Sequence, residues 1–514
     1  MSDTLSPAAQ AARGATYVFI QGVVSTVLNV FYFIVLSRSF PPPRPELGVY
    51  ALLTFIVGLA QMVGTLSLSQ ASVKYIAQYL AEGHPEKAKS VVTSVLKISI
   101  LISVPLSAFL FFSARWLSTQ LLGTPTWTPF FEGVAFVSFF TIVETQVGGF
   151  LQGLQRMREL AAVNIVLSLV QKVLVMGLIL TGLGFFGVIY GWLAGILVCT
   201  IVALILTTRY LGISRKTHPI KPLMVFAYPL YLSAILGFAA NWADQLLILP
   251  FMGTVYLGMY GSVALPAATI PGLVSTAIVT VIFPKFSELY SHYGAESLKK
   301  AFSLSTRYAI LVSFPLVTGL AILAEPVIVL LAGAAWREAA RPLTILSLAA
   351  IPGALGIAIG PTLLTLERTK VASILGGVSI FFEVVLSYIT LAYLGLGMIG
   401  AASSRLIVSS ITFCLGMYYL RRTVDVSLEW EAFWKASVAS VVMAIAILVS
   451  RTFEISIHQL YLLPIYAILG LAAYLFSLIA LKAIKRDDVE LLRDYLPRGL
   501  KQVATWIGRV FLIK

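Results

Sequence analysis

Leu47-Gly48-Val49-Tyr50 returns 210 residues later as Leu257-Gly258-Met259-Tyr260. At the same offset Pro105-Leu106 returns as Pro315-Leu316, and Leu121-Leu122-Gly123 as Leu331-Ala332-Gly333. Farther on, Leu154-Gln155-Arg156-Met157-Arg158 is answered by Leu366-Glu367-Arg368-Thr369-Lys370 at offset 212. Gly182-Leu183-Gly184, followed by Gly187, is answered by Gly395-Leu396-Gly397, followed by Gly400, at offset 213. So slow a drift argues for one unit used twice. Internal duplication in a strongly apolar chain marks membrane transporters, in which two like halves surround a central path.

The composition agrees. Of the 514 residues 59% are hydrophobic and 11% charged, with mean hydropathy +0.93, against about 45–50% and about 25% in soluble domains. Each crossing of the hydrocarbon needs about 20 apolar residues. The pattern predicts about fourteen, at 15–37, 47–70, 91–113, 129–152, 160–181, 186–208, 222–250, 257–283, 303–324, 341–365, 371–393, 398–420, 433–451 and 460–481. The first reads as a span and not as a removable signal peptide, because no small-residue cleavage site follows it. Helix is the reading for all of them: lipid offers no partner to backbone amides, and the alternating polarity of a β-barrel is missing. The two cysteines, Cys199 and Cys414, lie in apolar runs and read as packing residues, without a disulfide or thiol–metal site.

The duplication maps spans one to six onto seven to twelve. Six is even, so both halves enter the membrane in the same sense. The predicted fold is an all-α polytopic membrane protein of two parallel six-helix repeats plus two extra C-terminal helices. Its divisions are a cytoplasmic segment 1–14, an N-lobe 15–210, a linker 211–221, a C-lobe 222–422, the last two spans within 432–483 and a basic amphipathic tail 484–514. Of the 36 lysines and arginines, only Arg38, Arg44, Arg115, Arg337, Arg341 and Arg451 fall on the outer side if the N-terminus is cytoplasmic, while Lys172 and Arg405 fall within spans. The rest lie inside, as the positive-inside rule requires. Both ends are thus expected in the cytoplasm, in the plasma membrane. The net charge of +14 is explained by this sidedness, and no nucleic-acid partner is needed. The tail reads as a helix on anionic headgroups, or as a docking segment for a glycan-assembly enzyme.

Little in the chain suggests catalysis. The four histidines, His84, His218, His292 and His458, are isolated, and no P-loop spacing occurs, so no metal, cofactor or ATPase is expected. A membrane glycosyltransferase would want paired acidic residues on an outer loop, whereas the predicted outer loops are short and lack aspartate. A transporter, not an enzyme, is expected.

Leu36-Ser37-Arg38-Ser39-Phe40 followed by Glu46-Leu47-Gly48-Val49-Tyr50 resembles the Leu-Ala-Arg-x-Leu-Gly-Pro…Gly-x-Tyr signature of the polysaccharide-biosynthesis flippases, within the multidrug/oligosaccharidyl-lipid/polysaccharide exporter superfamily. Ser72-Val73-Lys74-Tyr75-Ile76-Ala77, leading to Gly83 and Glu86-Lys87-Ala88, resembles their second-to-third-span loop. Tyr228-Pro229-Leu230 with Asp244-Gln245 and Gly258-Met259-Tyr260 resembles their seventh-to-eighth-span region. The likeness runs from about residue 13 to 480. It departs where Pro41-Pro42-Pro43-Arg44-Pro45 replaces the usual Gly-Pro, which puts the shape of that outer turn in question. The resemblance implies two lobes forming a V that opens alternately to either side and carries a polyprenyl-linked oligosaccharide from the cytoplasmic to the outer leaflet, working among membrane lipids as a monomer.

Such cargo joins an isoprenoid tail, content in lipid, to a diphosphate–sugar head that is not. Ionisable residues within spans cost about 2.5–3.5 kcal/mol at mid-helix on insertion scales, so each is a candidate. Lys172 and Glu144 lie mid-span in the first half. They are either a structural ion pair or a phosphate-binding lysine that exchanges Glu144 for cargo. Glu383, aligned beside Gln171, can pair with Arg405 in the second half. Arg38 is a snorkelling residue or stands at the cavity mouth. Asp244 is a helix-end hydrogen-bonding residue or a coupling site. Gln21, Asn29, Gln61, Asn164 and Asn241 read as interhelical ties. The alternative is a cation antiporter of the same superfamily. Its proton-coupled members carry an aspartate in the first span, where this chain has only Asn29, and Lys172 and Arg405 repel a cationic drug.

Overall fold

The structure, a computed structural model, describes residues 7–212, 214–452 and 463–483. Residues 1–6 and the tail 484–514 lie outside the described residues. Among those described, the regular secondary structure is helical throughout, without a strand. Thirteen helices among the described residues are long and apolar enough to cross a membrane.

The chain divides into two compact units, Met1–Ser262 with Leu331–Gly333, and Val263–Leu330 with the chain from Ala334 onward. In the first unit the helices are α1 (Pro7–Ser39), α2 (Glu46–Thr65), α3 (Leu68–Ala81), α4 (Pro85–Leu122), α5 (Thr128–Gly153), α6 (Met157–Leu178), α7 (Phe186–Tyr210), α8 (Ile220–Met252) and the single turn α9 (Thr254–Leu257). α5 packs against α2, α3, α4 and α7, α6 lies between α1 and α7, and α8 lies along α3 and α2. A core of Leu68, Ile76, Val92, Val147, Phe150 and Cys199 closes one end of this bundle.

Helices α6 and α7 approach each other closely along much of their length. Gly187, Gly191 and Gly195 form a stripe along α7. A Cβ at Gly191 would meet the Val175 backbone nitrogen at 2.8 Å, and one at Gly195 the Gln171 Cα at 2.7 Å. Lipid supplies no hydrophobic force between helices, so association rests on packing, and small residues let backbones touch. This contact sets the height and rotation of Gln171 and Lys172 against α7.

The two copies of the opening motif also meet. A Cβ at Gly258 would stand 2.8 Å from the Gly48 backbone nitrogen, and the Ser262 hydroxyl donates to the Leu47 carbonyl at 2.8 Å. The linker after α7 is pinned to the same unit. The Ser94 hydroxyl donates to the His218 carbonyl at 3.0 Å and accepts from its backbone N–H at 2.6 Å, while Tyr79 Oη lies 2.9 Å from His218 Nε2.

The second unit contains α10 (Leu265–Ala268), α11 (Ile270–Ile322, with a break at Gly294), α12 (Ala324–Leu331), α13 (Ala340–Leu355), α14 (Ile359–Thr365), α15 (Thr369–Tyr388), α16 (Gly397–Val424), α17 (Trp430–Thr452) and α18 (Leu463–Ala480). α13 packs on α11 and α16, α16 on α15, and α17 on α11 and α18. The expected eighth span, 257–283, is not one helix: it passes through α9, a π-helical stretch at Gly258–Ala264, α10 and the start of α11. Pro266 and Pro271 remove two backbone donors there, which interrupts the helical ladder. Span 341–365 likewise divides, at Gly356 after Pro352.

Local conformation repeats between the units at the aligned positions. Gln155 and Glu367 both have φ 56°, although neither is glycine. α6 and α15 both run into a π-helical turn, Ile179–Leu183 and Ile389–Tyr393. Gly187 and Gly400 each pack against that turn with no room for a Cβ.

Candidate functional site

Five helices of the first unit, α1, α2, α5, α6 and α7, enclose a cavity of about 420 Å³. Its wall includes Asn29 and Tyr32 from α1, Tyr50, Thr54 and Gln61 from α2, Thr141 and Glu144 from α5, Gln171 and Lys172 from α6, and Trp192 from α7. In a unit otherwise dominated by aliphatic side chains, this is a concentration of hydroxyl, amide and ionised groups facing one space.

The lining is layered along the helices. One end of the bundle is marked by Phe40, Trp127, Phe130 and Phe185, whose rings meet with centroids 5.1–5.8 Å apart. Near it, Tyr32 lies at the end of α1, and Tyr50 and Trp192 at the starts of α2 and α7, roughly 6–10 Å along their axes at about 1.5 Å per residue. Tyr50 joins the other two: its ring centroid is 6.3 Å from that of Tyr32 and 5.3 Å from that of Trp192. Gln61 and Glu144 lie deeper, roughly 22–24 Å from the starts of α2 and α5 by the same rise. Lys172 lies between: its neighbour Gln171 faces Gly195, roughly 13 Å into α7 by the same rise, so the ammonium stands just beyond the aromatic layer, with the carboxylate and the Gln61 amide deeper.

Lys172 and Glu144 are both half-buried and line the same space, yet no ion pair joins them among the described residues. The Cys199 thiol donates to Glu144, with Sγ 3.8 Å from Oε1 and equally far from the Val163 carbonyl. A thiol is a weak donor and leaves most of the carboxylate's accepting capacity toward the cavity. Gln61 donates to Thr145 Oγ1 at 2.9 Å, so it ties α2 to α5 while also lining the space. A cavity with a separate ammonium and carboxylate can hold a molecule that carries an anion and hydroxyl groups.

The other sequence candidates lie elsewhere. Arg38 is exposed in the last turn of α1 and is not among the cavity-lining residues, while a cation there suits the helix dipole. Asp244 is fully buried. One carboxylate oxygen accepts from the Tyr260 hydroxyl at 2.6 Å and the other from the Gln245 N–H at 2.9 Å. That is the environment of a structural tie between α8 and the chain beyond α9. In the second unit Glu383 is buried on α15 and Arg405 half-buried on α16, two helices that pack together. Sequence reasoning did not single out Tyr32, Thr54, Thr141 or Trp192, and met Tyr50 only as part of the repeat and the family signature. Aromatic and hydroxyl residues are ordinary in spans, and only assembly of five helices distinguishes those facing a cavity.

The helices define a polytopic membrane protein whose fold recurs among solved membrane transporters. Lipid II flippase MurJ, in its inward closed conformation, superposes with a TM-score of 0.73 over 89% of this chain and 97% of that one, at 16% identity. The chain belongs to the polysaccharide biosynthesis protein family, whose model matches residues 35–341. It is 22% identical over 475 residues to "Probable low-salt glycan biosynthesis flippase Agl15" of Haloferax volcanii, covering 90% of this chain and 94% of that one. It is 26% identical over 328 residues, 61% of each chain, to the succinoglycan biosynthesis transport protein ExoT of Rhizobium meliloti.

Proposed function

We propose that this protein is a flippase that moves a polyprenyl-(di)phosphate-linked oligosaccharide from the cytoplasmic to the outer leaflet by alternating access of two repeated lobes. The observation that carries the proposal is the cavity of the first unit, where Lys172 stands free of Glu144 among amides and hydroxyls. A phosphate oxygen is the natural partner of an ammonium held away from its counter-ion in a low-dielectric setting. Glu144 then balances Lys172 when the cargo has left. Glycan-flippase and glycan-transport relatives over most of the chain's length support the same reading.

In this account Lys172 contacts cargo, Arg38 stands at the cavity entrance, and Arg405 with Glu383 performs the matching task in the second unit. Asp244 is a holding residue and not a coupling site. Both termini are cytoplasmic in the plasma membrane. The protein works as a monomer and performs no chemistry on its cargo.

The test is Lys172→Ala. Surface delivery of the lipid-linked glycan should fall at least tenfold, the scale of losing one charge-assisted hydrogen bond, about 1.5–3 kcal/mol, with the protein still folded and in the membrane. Lys172→Arg should recover part of it, since charge is kept while donor geometry changes. Unchanged delivery by Lys172→Ala would refute the assignment.

A further inference from the structure

We propose that the aromatic end of this cavity is a monosaccharide subsite, in which Tyr50 and Trp192 take the C–H face of a pyranose ring and the Tyr32 hydroxyl binds one of its hydroxyl groups. The inference rests on the flippase reading above and specifies how the sugar, as distinct from the phosphate, is held.

Tyr32 is 8% exposed, and its hydroxyl is buried without a well-formed hydrogen bond, with Tyr50 and Trp192 as its polar neighbours. A buried hydroxyl without a partner is costly, and native structures seldom keep one without cause. Here the group borders a cavity large enough to hold a sugar, so a ligand hydroxyl can supply the missing bond. The two rings beside it provide the complementary apolar contact: an aromatic face is negative, whereas the axial C–H groups of a pyranose are positive at hydrogen. Thr54 Oγ1 donates to its own helix, to the Tyr50 carbonyl at 2.8 Å, and borders the same cavity. Asn29, exposed and slightly deeper on α1, adds an amide. Lys172 stands within about one helical turn of Trp192 along the α6–α7 contact, so a sugar against the rings leaves its adjoining phosphate beside the ammonium.

The test measures the affinity of the purified full chain, in detergent, for two probes. One is undecaprenyl diphosphate, the other the same lipid bearing a single N-acetylglucosamine. Wild type should bind the sugar-bearing lipid more tightly. Trp192→Leu should cut that affinity about tenfold, the scale of one aromatic face, and thereby erase the preference. Tyr32→Phe guards against simple misfolding. It removes only the unpartnered hydroxyl, so the empty protein should melt at the same or a higher temperature while its preference for the sugar-bearing lipid falls severalfold. A hydroxyl with a structural role would lower the melting temperature instead. The subsite is overturned if wild type does not discriminate between the lipids, or if Trp192→Leu and Tyr32→Phe leave the preference intact. Should wild type bind neither lipid, the flippase reading falls as well, which separates the two failures.

Discussion

Replacing Gly195 by alanine tests whether the α6–α7 contact sets the height of Lys172. An ideal Cβ at Gly195 would lie 2.5 Å from Gln171 Cβ, 2.7 Å from its Cα and 3.0 Å from its backbone nitrogen. Carbon atoms rest at about 3.5–4.0 Å, so the helices must part by about 1 Å. None of the three obstructing atoms can rotate out of the way, because two are backbone and the third is fixed by it. Overpacking of this kind costs about 1–3 kcal/mol. Gln171 moves with its helix and carries Lys172, so the ammonium leaves its place relative to Glu144 and Trp192. Thermal unfolding in detergent and flipping in proteoliposomes should both report the change, with a lower melting temperature and slower transport. Gly177→Ala on α6 is the control. No atom lies within 4 Å of a Cβ there, and alanine is the better helix former by up to about 1 kcal/mol, so that variant should be neutral or slightly stabilised. If Gly195→Ala behaves like Gly177→Ala in both assays, the close approach of α6 and α7 is wrong, and with it the positioning of Lys172.

Two further outcomes follow from the geometry and the charge of the cargo. Tyr260→Phe removes the 2.6 Å hydrogen bond to buried Asp244 and should destabilise the protein by about 1.5–3 kcal/mol. Asp244→Asn combined with it should cost less than the sum of the two single changes, measured as a double-mutant cycle of unfolding free energies; strict additivity would show that the two groups do not act as a pair. Flipping in proteoliposomes should proceed without nucleotide and respond to an imposed potential. Each uncompensated negative charge moving outward at an inside-negative potential of 100 mV gains about 2.3 kcal/mol, and a strict requirement for ATP would sink this account of the driving force.

Much of the molecule is legible in the sequence because it depends on short-range chemistry. Hydropathy marks the spans, since lipid accepts only segments that satisfy their own backbone. The repeat foretells local shape as well: Gln155 and Glu367, paired from their neighbours alone, share a left-handed φ of 56°, and the glycine motif at 182–187 begins within a π-helical turn while that at 395–400 follows one. The broken eighth span was less legible, because hydropathy averages over Gly258, Pro266 and Pro271 and does not register the interruption of the ladder.

The cavity belongs to tertiary structure. Asp244 and Glu144 are both carboxylates in apolar runs, but one is sealed against Tyr260 and the other faces open space beside Lys172. Tyr32 and Phe112 are both aromatic residues in spans, yet Tyr32 is 8% exposed and Phe112 is 84% exposed. Hydrophobicity cannot separate these cases, because lipid and protein interior are alike apolar to a side chain. What distinguishes them is which face of each helix meets a neighbour. That depends on contacts such as the glycine stripe of α7 against α6, which join residues far apart in the chain and leave no periodic mark on either segment alone.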